Sequence, residues 1–202
     1  MEDDLSSARD PEIFLVRHGQ TEWNMEGRFQ GQMDSPLTET GQDQAQAVGR
    51  QLASILADAE AQMHVSPLGR TRRTADILRR FHAYRPSRLE PRLQEVTLGS
   101  WDGLTRSDIE AGWPHQLRGS THHDWYFYAP TGESYEVALH RVRSWLNGLS
   151  GPVVAVSHGL LGRLIRGAYL DLPREEALRL PVSQDVIWHL RAGKMHAIAV
   201  PP

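Results

Sequence analysis

Residues 14–24 read FLVRHGQTEWN: an apolar run passes straight into an Arg-His-Gly triplet and then turns polar. With Ile13 before it, the apolar part is short and branched, as a buried strand is, so Arg17 and His18 stand at its carboxyl end. Residues 153–159, VVAVSHG, have the same build and stop in Ser157, His158 and Gly159. Helical periodicity fills the space between such strands. From Thr38, a candidate N-cap, apolar residues at Ala45, Val48, Leu52, Ile55, Leu56 and Ala59 share one face. AQMHV, residues 61–65, is a second strand candidate, and Ser66 and Pro67 read as the cap and first residue of a helix running to about Phe81. A helix from Ser134 to Gly148 or Gly151 and another from Leu160 to Ala168 follow. DVIWHLRAGKMHAIAV, residues 185–200, reads as a hairpin at a sheet edge, turning at Ala192 and Gly193. Strands alternating with helices predict an α/β protein, a three-layer α/β/α sandwich with a mainly parallel sheet.

The chain has 202 residues, enough for one domain with a sizeable core. Residues 1–11 read as a flexible acidic arm, 12–202 as a single domain, and 84–131, rich in Gly, Pro, Trp and Tyr, as an excursion with one short helix near 105–111. With 22 Lys and Arg against 25 Asp and Glu, there is no overall basic field for nucleic acid or an acidic membrane. Any anion must therefore be met by a local pocket. The absence of cysteine excludes disulfides, thiolate catalysis and Cys-ligated zinc. The acidic, polar start does not resemble an export signal, and no stretch approaches 18 apolar residues, so a cytoplasmic protein without membrane contact is expected.

In open α/β sheets ligands bind outside the carboxyl ends of the strands. Three segments would then bring Arg17, His18, Arg70 and His158 to one rim. Arg70 falls in the first turn of its helix, where unpaired N–H groups favour an anion. Two guanidiniums and a helix start suit a phosphate, and two histidines without cysteine or a carboxylate cluster suggest attack by an imidazole on phosphorus. Neighbouring cations oppose protonation of His18 and keep it nucleophilic. The leaving alkoxide needs a proton, commonly from a carboxylic acid.

LVRHGQTEWNMEGRFQGQMDSPLTETGQDQA, VSPLGRTRRTADIL, LQEVTLGSWDGLT, TGES and VVAVSHGLLGRLI occur in that order. Together they resemble the histidine phosphatase superfamily, whose fold is phosphoglycerate mutase-like, over residues 12 to 170. The resemblance implies a covalent phosphohistidine on His18, with Arg17, Arg70 and His158 clamping the phosphoryl oxygens and the 84–131 excursion over the active site. It further implies that Glu95 gives a proton to the leaving group and then serves as base for water. Asn24 and Gln30 match positions that touch the phosphate in relatives, and Gln20 stands where many members have Glu. No metal and no cofactor are implied. The expected activity is hydrolysis of a small phosphate monoester. The alternatives are a phosphoglycerate mutase using the same histidine, or a non-catalytic phospho-ligand or protein-binding module. Gly112–Gly132 carries only Arg118 and no basic pair to grip a substrate carboxylate, which favours hydrolysis.

Other features have plainer readings. Glu22, Glu90, Asp102 and Glu133 rival Glu95 as the acid, and only the resemblance selects among them. The HHDW run at 122–125 suggests zinc but lacks a distant third ligand, so a polar loop is expected. Trp125 to Tyr128 could stack on a substrate, yet such aromatics more often pack an excursion onto its core. The arginines after Arg70, up to Arg80, read as a solvated helix face.

Overall fold

The computed structural model describes residues 11–201, so the N-terminal arm, apart from Pro11, lies outside the described residues. Strand β1 (Ile13–Arg17) is followed by α1 (Glu22–Met25), α2 (Glu39–Leu56), β2 (Gln62–Val65), α3 (Gly69–Leu78) and β3 (Ser87–Leu89). Then come α4 (Arg106–Gly112), α5 (Tyr135–Asn147), β4 (Val153–Ser157), α6 (Gly159–Tyr169), α7 (Arg174–Arg179), β5 (Val186–Arg191) and β6 (Lys194–Ala199). The sheet order is β3-β2-β4-β1-β5-β6. The first four are mutually parallel, β5 runs antiparallel to β1, and β6 pairs antiparallel with β5. Ala192 and Gly193 both take positive φ, which suits a tight hairpin turn.

Alternation along β1 explains its unbroken apolar run. Ile13 and Leu15 pack with α5 and α6, while Phe14 and Val16 pack with α2 and α3 on the other face. The fold is thus the three-layer α/β sandwich expected. At roughly 1.5–3 kcal/mol for each fully buried aliphatic side chain, the two cores together outweigh the several kcal/mol that each hidden cation costs. A third cluster, Leu98, Trp101, Ile109 and Trp125, holds the long β3–α5 connection together, with Arg106 stacked 4.4 Å from the Trp125 ring centre.

Boundaries depart from expectation where side chains are drawn into other work. Ser66 does not cap α3: its N–H still bonds Val156 in the sheet and its hydroxyl meets His158, so the helix starts after Leu68. α2 stops at Leu56, before Ala59, because Ala57 adopts φ 47°. Ser87–Leu89, inside the expected excursion, pairs with β2 as an edge strand. Three exposed residues carry no periodic signal, which is why β3 is silent in the sequence. Short α1 and α7 are also too brief to be legible.

His64 on β2 is buried and accepts a hydrogen bond at Nδ1 from Trp145 Nε1, 3.1 Å away. Burial, then the Arg88 charge, pulls its pKa down to about 4. Because the folded pKa lies below the unfolded value, the neutral ring stabilises the fold above about pH 6.5, and that contribution is lost as pH falls toward about 4. With β2 one strand from the edge and solvent screening allowed for, about 1–2 kcal/mol is at stake. Urea midpoints measured at pH 7 and pH 4.5 should therefore drop less for His64→Gln than for the wild type. Equal drops would place the titration elsewhere.

Candidate active site

Parallel register assembles the site. Arg17 pairs with Ser157 across β1 and β4, and Val65 pairs with Val156 across β2 and β4. The residues one step beyond, His18, Ser66 and His158, therefore emerge at the same sheet edge. The rings of His18 and His158 lie 5.3 Å apart. The segment after β1 is pressed onto α2 at Gly19 and Gly41, where a Cβ on either would overlap a carbonyl of the facing segment. Gly19 N–H also donates to Thr74 of α3. His18 is thereby held by helices on one face of the sheet.

The tautomer of His18 follows from its neighbours. Nδ1 lies 2.8 Å from the Gly19 carbonyl, which can only accept, so Nδ1 carries the proton. Arg70 Nε–H, which can only donate, points at Nε2 from 3.3 Å, so Nε2 holds the lone pair. Burial, then Arg70 and Arg17, keeps the His18 pKa well below the ordinary histidine range. Burial outranks the cations that sequence reasoning emphasised.

Arg70 is only 2% exposed and spends most of its donors on the protein. Nη1 donates to the Met33 carbonyl at 2.6 Å and to Asp34 Oδ1 at 3.0 Å, and Nη2 donates to the Gly31 carbonyl at 2.8 Å. One Nη2 hydrogen remains free. The α3 start does not offer the open anion site expected, because Arg70 N–H already bonds Asp34 Oδ1 at 3.2 Å. Arg17 is half-buried, with its Nε buried and unpartnered by protein and its guanidinium lying along Gly159. Burial lowers its pKa, with Glu95 opposing that shift. His158 bonds Ser66 Oγ through Nε2 at 2.7 Å, while its Nδ1 has no protein partner. Burial, then Arg70, holds the His158 pKa well below the ordinary range.

Glu95 arrives from the connection after β3. Arg141 of α5 donates to the Arg92 and Gln94 carbonyls, and Ser157 donates to the Leu93 carbonyl, which together fix this loop. The Glu95 carboxylate accepts from Leu160 N–H at 3.1 Å and Leu161 N–H at 2.8 Å, occupying the start of α6. The rival carboxylates are engaged elsewhere. Glu90 pairs with Arg92 and Arg88, Glu133 pairs with Arg141, and Glu22 is exposed in the first turn of α1. Asp102 accepts from Leu98 N–H, Gln32 N–H and the Thr97 hydroxyl, joining the Glu95 loop to the loop that holds Arg70.

A cleft of about 160 Å³ is lined by Arg17, His18, Asn24, Gln30, Arg70 and Glu95. Asn24 turns Oδ1 to Thr21 N–H in a capping box, so it both closes α1 and faces the cleft. Gln30 spends its amide on the Thr21 and Ser35 hydroxyls. Gln20 lies outside the cleft lining, with its Oε1 accepting from Thr38. Sequence reasoning missed Arg28 and Arg163, which also line the cleft, and Asp34 behind Arg70. Arg163 follows His158 by five residues on α6 and could have been sought there. Tyr126 lines the cleft, whereas Trp125 is buried in the third cluster. His122 and His123 stack edge to face, and among the described residues no group of three or more potential metal ligands gathers. Among the same residues no helix is long and apolar enough to cross a membrane.

Known proteins resemble this chain along most of its length. Residues 13–196 match the family model described as "Histidine phosphatase superfamily (branch 1)". The chain is 38% identical over 180 residues to "Probable phosphoglycerate mutase GpmB" of Cronobacter sakazakii, covering 84% of this chain and 80% of that protein. The solved structure of Bacillus stearothermophilus YhfR superposes with a TM-score of 0.77 at 29% identity, covering 94% of this chain and 96% of YhfR. That of mycobacterial glucosyl-3-phosphoglycerate phosphatase Rv2419c with VO3 gives 0.72 at 29% identity, covering 94% and 97%. The family match runs from β1 into β6 and so takes in the strand ends that carry Arg17, His18 and His158 and the helix that carries Arg70: this chain belongs to the histidine phosphatase superfamily.

Proposed function

We propose that this protein hydrolyses small phosphate monoesters through a phosphohistidine on His18. The observation that carries this reading is a neutral His18 whose Nε2 lone pair faces the cleft's arginines, with its proton fixed on the Gly19 carbonyl. A phosphoryl group seated there receives Arg17 Nε–H and the free Arg70 Nη2 hydrogen, and Arg70 Nε–H passes from His18 Nε2 to a phosphoryl oxygen as that nitrogen attacks. If Ser66 Oγ–H donates to His158 Nε2, the His158 proton sits at Nδ1 and is offered to the same group. Nε2 of His18 attacks phosphorus in line, the P–O ester bond breaks, and protonated Glu95 gives its proton to the leaving oxygen. Water then attacks phosphorus, its proton goes to the Glu95 carboxylate, the P–N bond breaks, and the lone pair returns to Nε2. The arginines stabilise charge that grows in both transition states.

The name of the Cronobacter relative favours a second reading, return of the phosphoryl group from His18 to another hydroxyl of a phosphoglycerate. Mass spectrometry under neutral conditions after brief exposure to an aryl phosphate tests the shared chemistry: an acid-labile phosphoryl group on His18 is expected, and one on another residue overturns both readings. Steady phosphate release from several monoesters supports hydrolysis. Exchange confined to phosphoglycerates primed by a bisphosphate would replace it with the mutase.

A further inference from the structure

We propose that Gln184, in the connection between α7 and β5, is a positioning residue that sets which end of the Asn24 amide meets a bound phosphoryl group. The inference rests on the phosphate-binding reading of the cleft and deepens it. Gln184 Nε2 lies 3.2 Å from the His18 backbone carbonyl and 3.1 Å from Asn24 Oδ1. The backbone settles the orientation of both amides. A peptide carbonyl can only accept, so the end of Gln184 facing His18 must be its NH₂ group. The second hydrogen of that group points at Asn24, so the Asn24 atom receiving it must be the carbonyl oxygen.

An independent donor agrees. Thr21 N–H, which can only donate, reaches the same Asn24 oxygen at 3.2 Å. With Oδ1 occupied by two donors, Asn24 has its own NH₂ left for the cleft it lines. Rotated by half a turn, the amide would present an oxygen to an anion. Thr21 alone supplies one of the two restraints, and Gln184 supplies the other from a segment 160 residues away. The same Gln184 NH₂ group also ties down the backbone of His18, so nucleophile and Asn24 are referenced to one atom.

A double-mutant cycle on binding of inorganic phosphate, read by calorimetry, separates orientation of Asn24 from general support. Gln184→Met keeps the length and removes both hydrogen bonds. It should weaken phosphate binding about 5–10-fold in the wild-type background, with a matching rise in KM and a smaller change in kcat. In the Asn24→Ala background there is no amide to orient, and the same substitution should cost less than about twofold. Equal losses in the two backgrounds, or no loss in the first, would overturn the proposal. A wild type that binds phosphate in this Gln184-dependent way yet forms no phosphohistidine would refute the hydrolase reading and leave the positioning role standing. A wild type that binds no phosphate would overturn both.

Discussion

His18→Ala is expected to lower phosphomonoester turnover by about 10⁴-fold or more, while inorganic phosphate still binds within roughly tenfold of the wild type. The two effects separate because bond formation and anion binding use different atoms. Turnover needs the Nε2 lone pair, which the substitution deletes. Binding uses Arg17 Nε, the spare Arg70 hydrogen and His158, none of which depends on the imidazole for its place. Truncation also leaves Arg70 Nε buried without its acceptor, at a cost of about 1–3 kcal/mol in the absence of ligand. A phosphate oxygen replaces that acceptor, so phosphate should raise the melting temperature of the variant by more than it raises that of the wild type. Turnover by His18→Ala within tenfold of wild type would rule out the phosphohistidine. The pH profile gives a further check. Protonation would consume the lone pair, but burial and two arginines hold the His18 pKa well below its ordinary value, so activity should persist through pH 6.5 and fall only at lower pH.

The parts of this site that were legible in the sequence are those tied to regular elements. Arg17 and His158 could be placed because each ends a continuous apolar run, and parallel pairing then puts neighbouring strand ends side by side. Arg70 could be placed because it begins a helix. Ser66 shows how a local rule misleads: serine before proline is a good capping signal, yet its hydroxyl is claimed by His158, 92 residues away. Asp34 and Gln184 gave no signal, and Asp102 was legible only as a rival acid, since each acts from an irregular connection through long-range hydrogen bonds. Periodicity reports which face of an element is buried and is silent about such loops. Glu95 could not be chosen by spacing either. What distinguishes it from Glu90 and Glu133 is the identity of its partners: two backbone N–H groups at the start of α6, where the other two carboxylates are neutralised by arginine. The proposed mechanism accordingly gives the proton exchange with substrate to Glu95, which lines the cleft and, among the described residues, forms no ion pair with an arginine there.

That difference makes Glu95→Gln the sharper test of the acid. The amide is nearly the same size, but it cannot give up a proton on the required timescale. It also cannot satisfy both oxygen sites, because one end must turn an NH₂ toward Leu160 N–H or toward the Leu161 and Val96 N–H groups. The clash should cost about 1–3 kcal/mol of stability. For an alkyl phosphate the leaving alkoxide is strongly basic, and kcat/KM should fall by about 10²–10⁴-fold. For a nitrophenyl phosphate the leaving phenolate departs without a proton, so formation of the phosphohistidine should be nearly normal. Its hydrolysis still needs a base for water. A rapid-mixing experiment should therefore show a burst of nitrophenolate equal to the enzyme concentration, followed by turnover about 10²–10⁴-fold slower than wild type. An equal fall for both esters with no burst would mean that Glu95 serves only to cap α6, and that the proton comes from another group. The burst and the leaving-group dependence must appear together, because one carboxyl group is assigned the proton donated in the first step and the proton removed in the second.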